Sequence, residues 1–408
     1  MHFGISTYLN RGLRFLLARK LTKLVEGRLE IVDGLWCRTF GQADAAVIHA
    51  QLNIYDTRTY RAVIFGGTIG AADAYAQGWW SADDLTALIR IMARNRSAVV
   101  GFDGWLTRVA FAFHQIVHRL RSNRKVQNRR NISAHYDLGN DFFSLFLDSS
   151  MTYSCAVFPT KRASLKEASK HKLDLVCQKL ALANSDHLLE IGTGWGSLAI
   201  HAAQEYGCRV TTTTISRQQY EHAQEAVASA GLTDRVTVLN VDYRELPAAL
   251  DASFEKVVSI EMIEAVGYEF LDQYFTVCNT LTKPGGRMLL QAIVIADELY
   301  STYIRSVDMI QRYIFPGGFL PSVADMKTRL AGSTDFRIDH LEDITAHYPL
   351  TLRCWRERFL TNWSSLEAQG YPEHLLRMWE YYFCYCEGGF LERTIGDVQL
   401  VLTKPKAI

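Results

Sequence analysis

The segment Leu188–Ala199, with the sequence LLEIGTGWGSLA, decides the fold. An apolar run ends in three glycines at alternate positions, and residues typical of a helix follow. The segment therefore predicts a strand, a tight turn and a helix. Gly192, Gly194 and Gly196 would let the backbone come close to a ligand at the N-terminus of that helix. We interpret the segment as a nucleotide-binding turn.

Strand-like and helix-like segments alternate in the chain after about residue 165. Apolar runs such as RVTTTTI, RVTVLNV, EKVVSI and RMLLQAIVI are separated by helical stretches, and GDVQLVLTKP predicts one more strand. This alternation is typical of an α/β fold with a mainly parallel sheet. The first hundred or so residues instead predict a small mixed domain, because apolar runs alternate there with Gly and Asp turns.

The charge is distributed unevenly, although the 408 residues carry a net charge of only +1. Residues 1–130 contain 19 Lys and Arg against 9 Asp and Glu, whereas the remainder contains 25 against 34. A basic N-terminal third predicts an anionic partner, either a membrane surface or a nucleic acid. Residues 104–121 have apolar side chains at helical spacing, and basic residues follow. This segment fits a membrane-surface helix as well as an ordinary packing helix.

The division that we expect is an N-terminal domain at residues 1–121, a basic linker at 122–132 and a catalytic domain at 133–408. No apolar run approaches the length of a membrane span, and no secretory signal is visible. The eight cysteines are scattered without a CxxC pair, so they predict reduced thiols in a cytosolic protein and no metal site. A nucleic-acid partner is disfavoured because the sequence has no recognition-helix or RNA-binding signature.

The surroundings of the glycine turn distinguish between two nucleotide ligands. A dinucleotide fold needs an acidic residue about 20 residues after the glycines, where it binds the ribose. That region is TTTTISRQQ, and the glycine spacing is GxGxG rather than GxGxxG. Glu190 before the glycines and Asp242 after the third strand fit an S-adenosylmethionine site better. Such a site holds a sulfonium cation and adenosine, not a pyrophosphate.

Further segments occur in an order that resembles the cyclopropane-fatty-acid synthases. They are GAADAYAQGWW, SAHYDLGNDFFSLFLDSSMTYSCAVF, LEIGTGWGSLAIHAA, TISRQQYEHA, SIEMIEAVG, RYIFPGGFLPSV, HYPLTLRCWRERF and YYFCYCEGGF. The resemblance extends from about Gly70 to Lys406. It implies a class I methyltransferase-type (Rossmann-like) domain with a smaller N-terminal domain. The implied reaction transfers the methyl group of S-adenosylmethionine to the double bond of an unsaturated acyl chain in a membrane phospholipid.

The resemblance also implies roles for individual residues. The residues that correspond to cofactor contacts are Tyr153, Ser154, Gly192, Gly194, Thr214, Ile215, Gln219, Tyr243 and Arg244. Glu264, the backbone at Cys155 and Ile293, and the hydroxyl of Tyr348 correspond to the cage of a bicarbonate ion. This ion is the implied base. It would accept the proton that must leave after the alkene has been alkylated.

Three further residues affect the predicted chemistry. Tyr136 corresponds to an aromatic residue at the reacting centre, where an aromatic face would stabilise a carbocation. Cys386 corresponds to a cysteine regarded as an active-site residue, but we favour a buried, inert thiol because alkene alkylation needs no cysteine nucleophile. Gln291 stands where the best-known bacterial synthases carry a histidine of the bicarbonate cage. Glutamine can donate a hydrogen bond but does not titrate near neutral pH, so a methyl-branched or methylene product is an alternative to the cyclopropane.

The sequence therefore predicts a cytoplasmic enzyme that lies on the inner face of the membrane. Its expected cofactors are S-adenosylmethionine and bicarbonate. The expected partner is unsaturated phospholipid in an anionic membrane surface, with no nucleic acid and with a homodimer as a candidate assembly. A cyclopropane is the expected product. The alternatives are a methyl-branched or methylene product from the same first step, and a small-molecule N-methyltransferase, since some plant alkaloid enzymes share this fold.

Overall fold

The fold is that of a computed structural model, which describes residues 2–42, 44, 48–96, 138–250 and 253–406. The chain forms two compact units. The first contains residues 1–120, 305–314 and 355–394, and the second contains residues 121–304, 315–354 and 395–408. The predicted helix at 104–121, the predicted linker at 122–132 and Tyr136 lie outside the described residues. No helix among the described residues is long and apolar enough to cross a membrane.

The first unit combines a four-stranded sheet with helices. Its strands are β1 (Arg28–Asp33), β2 (Trp36–Gly41), β3 (His49–Ile54) and β4 (Trp80–Ala82), in the order β2-β1-β3-β4. The pairing of β1 with β3 is parallel, and the other two pairings are antiparallel. The helical segments of this unit are His2–Leu21, Arg58–Ala76, Leu85–Arg94, Ile310–Ile314, Trp363–Ala368 and Glu373–Leu391.

The helix Glu373–Leu391 belongs to the first unit, whereas the sequence predicted one continuous catalytic domain at 133–408. This helix packs against the two helices that precede and follow β4. Tyr75 packs against Tyr381 with ring centroids 5.5 Å apart, and its hydroxyl donates to Glu380 at 2.8 Å. Tyr75 and Glu380 are 305 positions apart in the chain, so no local pattern could predict this association.

The second unit is built on a seven-stranded sheet. Its strands are β5 (His187–Ile191), β6 (Arg209–Thr213), β7 (Val236–Leu239), β8 (Phe254–Ile260), β9 (Thr282–Ile295), β10 (Arg337–Asp343) and β11 (Ile395–Thr403). Their order is β10-β11-β9-β8-β5-β6-β7. Strands β5 to β9 pair in parallel, and β11 is antiparallel to both of its neighbours. The predicted α/β fold with a mainly parallel sheet is confirmed.

Helices and short helical turns surround this sheet. They are Gly139–Ser144, Leu165–Leu180, Ser197–Tyr206, Arg217–Ser229, Tyr243–Glu245, Leu246–Ala249, Ile263–Ala265, Tyr268–Phe270, Leu271–Leu281, Asp297–Tyr303, Val323–Ser333 and Thr345–His347, with Tyr348–Thr361 continuing into the first unit. Leu188 and Leu189 belong to two separate hydrophobic cores. Because β5 is buried on both faces, its sequence is an apolar run rather than an alternating pattern.

The strand order of this sheet reverses between β5 and β8. From β5 the chain adds β6 and β7 on one side, and it then returns to add β8 and β9 on the other. Ligands of open α/β sheets bind in the crevice at the carboxyl ends of the strands at such a switch point. The glycine turn after β5 and the segment Glu261–Gly267 after β8 both lie at this edge.

Candidate active site

The glycine turn between β5 and the following helix is held by hydrogen bonds to β6. The N–H groups of Gly192 and Thr193 donate to the carbonyl of Thr213 at 3.0 and 2.9 Å. Gly192, Gly194 and Gly196 have φ values of +104°, +55° and +94°, which glycine adopts without steric cost. A Cβ built on Gly194 would meet no heavy atom of the surrounding described residues within 4 Å, so this position borders open space.

Glu190 lies near the end of β5, immediately before the turn, and it is buried. The hydroxyl of Thr212 on the neighbouring strand donates to its Oε2 at 2.6 Å. Burial raises the pKa of Glu190 to about 8, although this hydrogen bond and the charge of Lys172 act in the opposite direction. The predicted cofactor residue therefore lies beside the glycine turn in a low-dielectric environment.

The residues after β6 form the next part of the predicted cofactor site. The hydroxyl of Thr214 donates to Oε1 of Gln219 at 2.9 Å and accepts from the N–H of Ser216 at 3.1 Å. The side chain of Ser216 in turn accepts from the N–H of Gln219 and caps the helix Arg217–Ser229. These contacts fix Thr214 and Gln219 at the carboxyl end of the strand next to β5. The cofactor contacts that the resemblance implies for these two residues and for Ile215 stay a prediction.

Asp242 and Arg244, which follow β7, form a buried ion pair. The Nε and Nη2 groups of Arg244 donate to the two carboxylate oxygens of Asp242 at 2.8 and 2.6 Å. The guanidinium carbon also lies 5.5 Å from the ring centroid of Tyr243. Such a bidentate pair restrains both side chains, so the three predicted residues form one rigid group.

Aromatic rings surround Tyr153, the first predicted cofactor contact in the chain. Tyr153 packs against Phe143 with ring centroids 5.4 Å apart, and Trp195 of the glycine turn packs against the same Phe143 at 5.1 Å. The adjacent Ser154 accepts a hydrogen bond from Nζ of the buried Lys172 at 2.9 Å. These rings provide electron-rich faces, which stabilise positive charge.

Three carboxyl groups meet near the carboxyl ends of β8 and β9, and we call Glu261, Glu264 and Asp397 the carboxylate cluster. The first two follow β8, and Asp397 is fully buried on β11. Burial raises the pKa of all three, in Glu264 to about 8, and the charge of Glu261 raises the pKa of Asp397 further. Since like charges disfavour one another, the three groups cannot all be ionised together at neutral pH.

Glu261 receives hydrogen bonds on both carboxylate oxygens. Its Oε1 accepts from the N–H of Cys155 at 2.8 Å and from Nε2 of Gln291 at 2.7 Å. Its Oε2 accepts from the hydroxyl of Tyr348 at 2.7 Å. Because donors directed at a carboxylate favour its ionised form, Glu261 is the member of the carboxylate cluster that is best stabilised as an anion.

A chain of hydrogen bonds that begins at a lysine sets the orientation of the Gln291 amide. The Nζ of Lys179 donates to Oε1 of Gln399, and Nε2 of Gln399 donates to Oε1 of Gln291 at 2.9 Å. A lysine ammonium can only donate, so it fixes the orientation of the Gln399 amide. The Gln399 amide then fixes that of Gln291, whose Nε2 faces Glu261.

Glu264 and the backbone of Ile293 are brought together, as the resemblance implies. Oε1 of Glu264 accepts from the N–H of Ile293 at 2.5 Å. Oε2 is shielded from solvent and has no hydrogen-bond partner among the described residues. Buried polar atoms are usually satisfied, so this oxygen is suited to contact a bound molecule.

Sequence analysis missed Glu261, Lys172 and Asp397. A signal existed for Glu261, because it directly follows β8 and the register pairs Ile260 with Gln291 on the neighbouring strand. Lys172 is a cation on the buried face of its helix, where it interacts electrostatically with Glu261 and Asp397. A lone buried cation is itself a signal for a nearby anion. Asp397 carries the same kind of signal, because it is a single charged residue within the mainly apolar strand β11.

Two predicted catalytic residues, Cys386 and Tyr136, are not described as part of the second unit. Cys386 lies on the helix Glu373–Leu391 of the first unit, and burial raises the pKa of its thiol. A raised pKa disfavours the reactive thiolate, which fits the favoured interpretation of an inert thiol. Tyr136 lies outside the described residues, so its role stays a prediction. In the part of the chain that the structure describes, no group of His, Cys, Asp and Glu could hold a metal ion.

The parallel sheet, its switch point and the glycine turn define a class I methyltransferase fold. The crystal structure of mycolic acid cyclopropane synthase CmaA1 complexed with SAH and CTAB matches with a TM-score of 0.62 and 30% identity, over 68% of this chain and 98% of that one. The structure of coclaurine N-methyltransferase shares the fold at a TM-score of 0.59 and 19% identity, over 79% of this chain and 95% of that one. The predicted fold class is confirmed.

The family model described as mycolic acid cyclopropane synthetase matches residues 123–400, so the chain belongs to this family. The chain is 38% identical over 346 residues to tuberculostearic acid methyltransferase UfaA1 of Mycobacterium tuberculosis, over 83% of this chain and 79% of that protein. It is 33% identical over 367 residues to cyclopropane-fatty-acyl-phospholipid synthase of Escherichia coli K12, over 87% and 88%. The chain is an S-adenosylmethionine-dependent methyltransferase of a lipid-modifying family.

Proposed function

We propose that this enzyme alkylates the cis double bond of unsaturated acyl chains in membrane phospholipids and that its product is a cyclopropane. The observation that carries the proposal is the proximity in the fold of two elements. A glycine turn follows β5, and the hydrogen-bonded carboxylate of Glu261 follows the adjacent strand β8. Ring formation on an alkene needs both a methyl donor and a base, and this edge of the sheet offers a place for each.

S-adenosylmethionine, when bound, supplies an electrophilic methyl group on a sulfonium centre. The residues present fit this ligand, because Gly194 borders open space that a larger side chain would fill. Thr214 and Gln219 offer polar groups for the nucleoside, and they are held in place by their mutual hydrogen bond. Glu190 lies immediately before the turn, and the ion pair of Asp242 with Arg244 follows β7 at the same edge of the sheet.

The aromatic rings near the turn fit the demands of alkene chemistry. An alkene is a weak nucleophile, so the site must hold it close to the methyl group and exclude water. Phe143, Tyr153 and Trp195 form a packed aromatic group at this edge. Their faces would stabilise the positive charge that develops on the acyl chain after methyl transfer.

Bicarbonate does not fit the donor set as the structure arranges it. The resemblance assigned to this ion Glu264, the backbone at Cys155 and Ile293, and the hydroxyl of Tyr348, with Gln291 in the place of the usual histidine of the cage. In the structure, the N–H of Ile293 donates to Glu264, and the N–H of Cys155, the hydroxyl of Tyr348 and the amide of Gln291 donate to the carboxylate of Glu261. A second anion would have to displace this carboxylate or share its donors against a like charge, which is unfavourable. The proposed reaction therefore contains no step that involves bicarbonate.

The proposed substrate lies in the anionic, cytoplasmic face of a membrane. Support comes from residues 1–130, with 19 Lys and Arg against 9 Asp and Glu. Each basic residue near an anionic surface contributes about 1 kcal/mol, which fades over a Debye length of about 8 Å at physiological salt. Sedimentation with anionic vesicles should show binding that weakens steeply as salt rises. Binding that does not respond to salt would contradict an electrostatic docking surface.

A methyl-branched product is the second candidate. It is favoured by the similarity to UfaA1, which is named as a methyltransferase. Both products share the alkylation of the double bond and differ in the fate of the carbocation. Both fates of the carbocation can release a proton to a base, and ring closure requires this proton to come from the transferred methyl group. The origin of the lost proton therefore distinguishes the two candidates.

Lipids from cells that express the protein test the proposal. We expect mass spectrometry to show a gain of one methylene unit with loss of the alkene, and proton NMR to show ring hydrogens. A branched methyl signal without ring hydrogens would replace the cyclopropane by the second candidate. Lipids unchanged relative to cells that express a Gly194→Val variant would contradict both candidates.

A further inference from the structure

We propose that the carboxylate of Glu261 is the catalytic base, and that it takes the place of an external anion. This inference rests on the proposed function, since it names the group that accepts the proton released during ring closure. Its first support is the set of donors around Glu261. Cys155, Gln291 and Tyr348 come from three separate parts of the chain and converge on this one carboxylate at 2.7–2.8 Å.

The backbone of Glu261 gives independent support. Its φ is +47°, which is uncommon for a residue other than glycine. The N–H of Glu261 donates to the carbonyl of Gln291 at 2.9 Å, so the strained residue is held against strand β9. Strained backbone persists where the surrounding structure requires it, and it is concentrated at active sites. Glu261 combines this unusual φ with hydrogen bonds to both of its carboxylate oxygens.

The charges around Glu261 favour its ionised form over that of its neighbours. The titratable or charged groups that face it are Lys172, Cys155, Tyr348, Glu264 and Asp397. Lys172 is the cation among them, and one cation can balance one carboxylate. Burial keeps the thiol of Cys155 neutral by raising its pKa. The same effect, strengthened by the charge of Glu261, favours protonated Glu264 and Asp397.

The proposed reaction is balanced in atoms and charge. The π electrons of the double bond form a carbon–carbon bond to the methyl group of S-adenosylmethionine, and the carbon–sulfur bond breaks with its electron pair left on sulfur. The neighbouring carbon of the acyl chain becomes a carbocation. A C–H bond of the new methyl group then breaks, its electrons close the ring, and its proton moves to Glu261. The resulting carboxylic acid returns this proton to water after the product leaves.

Two substitutions separate the base from the structural role of Glu261. Glu261→Gly removes the carboxylate and suits a φ of +47°, so the fold should tolerate it. It also frees the three donors for an added anion. Glu261→Gln keeps the side-chain volume at the donors but cannot accept a proton. Glu269→Gln is the matched control, because Glu269 is an exposed carboxylate on the same segment after β8.

The experiment measures initial rates on unsaturated phosphatidylglycerol vesicles with and without added bicarbonate. We expect wild type and Glu269→Gln to keep their rates in buffer purged of carbon dioxide. Without bicarbonate, both Glu261 variants should lose about 10²- to 10⁴-fold in rate, the usual contribution of a general base. Added bicarbonate should raise the rate of Glu261→Gly at least about tenfold. It should not raise the rate of Glu261→Gln, because the side chain of this variant still blocks the three donors.

Titration with ¹³C-labelled bicarbonate, followed by NMR, gives a readout apart from turnover. Glu261→Gly should bind the ion, whereas wild type should not. The inference is overturned if wild type needs bicarbonate, if Glu261→Gly is active without it, or if this variant fails to bind the ion or binds it without recovering activity. If wild type alkylates no lipid at all, the proposed function fails. The binding titration would still test whether Glu261 occupies the place of the anion.

Discussion

The glycine turn after β5 and the carboxylate cluster after β8 lie at adjacent strand ends, yet they use different physical means. The turn depends on backbone shape, with three glycines at positive φ and open space at Gly194. The carboxylate cluster depends on charge, with three carboxyl groups of raised pKa near one buried cation, Lys172. On the proposed mechanism, cofactor binding depends on steric fit, whereas proton transfer depends on which carboxyl group ionises.

The largest effect that we expect comes from a change in shape alone. Gly194→Val should raise the dissociation constant for S-adenosylmethionine by at least about 100-fold, because two methyl groups would fill the space that the turn leaves open. Isothermal calorimetry measures this constant. Gly231→Val is the matched control, since Gly231 also has a positive φ and open space but lies outside the turn. Similar affinities in the two variants would show that the turn does not bind the cofactor.

A smaller effect should come from the second carboxyl group of the carboxylate cluster. Glu264→Gln should lower the rate on lipid vesicles by about tenfold, well below the 10²- to 10⁴-fold loss expected for a general base such as Glu261. The reason is that burial raises the pKa of Glu264 to about 8, so its carboxyl group is largely neutral at pH 7, as an amide is. Equal losses in Glu261→Gln and Glu264→Gln would mean that the two groups share one proton and act as a unit.

Removing the buried cation should shift the pH dependence of the reaction. Activity requires ionised Glu261, and Lys172 lowers the pKa of this carboxyl group. Lys172→Met should therefore move the acid limb of the pH–rate profile upward by about one unit, with roughly tenfold lower activity on that limb. Lys170→Met is the control, because Lys170 lies on the same helix but is exposed. An unchanged profile would remove Lys172 from the electrostatic account.

The smallest effect concerns stability. The pKa of Glu190 is about 8 in the folded state, above the ordinary value of about 4.3. The folded state thus holds this proton more tightly, and the resulting stabilisation is lost as the pH rises through about 8. The amide introduced by Glu190→Gln does not titrate. Between pH 6 and pH 9, the melting temperature of this variant should therefore fall by about 2–4 °C less than that of wild type. Identical falls would show that Glu190 ionises without cost.

The glycine turn could be predicted from the sequence because its determinants are local. An apolar strand, three glycines and a helix follow one another between Leu188 and Ala199, and the strands of the sheet are similarly visible as apolar runs. The resemblance then located Glu264, Ile293 and Tyr348, which the structure places around one edge of the sheet.

The role of Glu261 could not be predicted in the same way, because its partners are distant in the chain. Cys155 is 106 positions away, Tyr348 is 87 and Gln291 is 30. The sequence showed that Gln291 replaces the usual histidine, but only the pairing of β8 with β9 places Glu261 next to it. The placement of the helix Glu373–Leu391 in the first unit could not be predicted for the same reason, since this helix associates with elements about three hundred positions earlier.

One reaction tests the central claim, that the protein itself supplies both the alkylation site and the base. Wild-type enzyme is incubated with unsaturated phosphatidylglycerol vesicles and S-adenosylmethionine carrying a trideuterated methyl group, in buffer purged of carbon dioxide. We expect the same rate as in buffer that contains bicarbonate. We also expect a product with a CD₂ bridge, because one deuteron is taken from the transferred methyl group. A rate that collapses until bicarbonate is added, or a product that keeps an intact CD₃ group, would contradict the central claim.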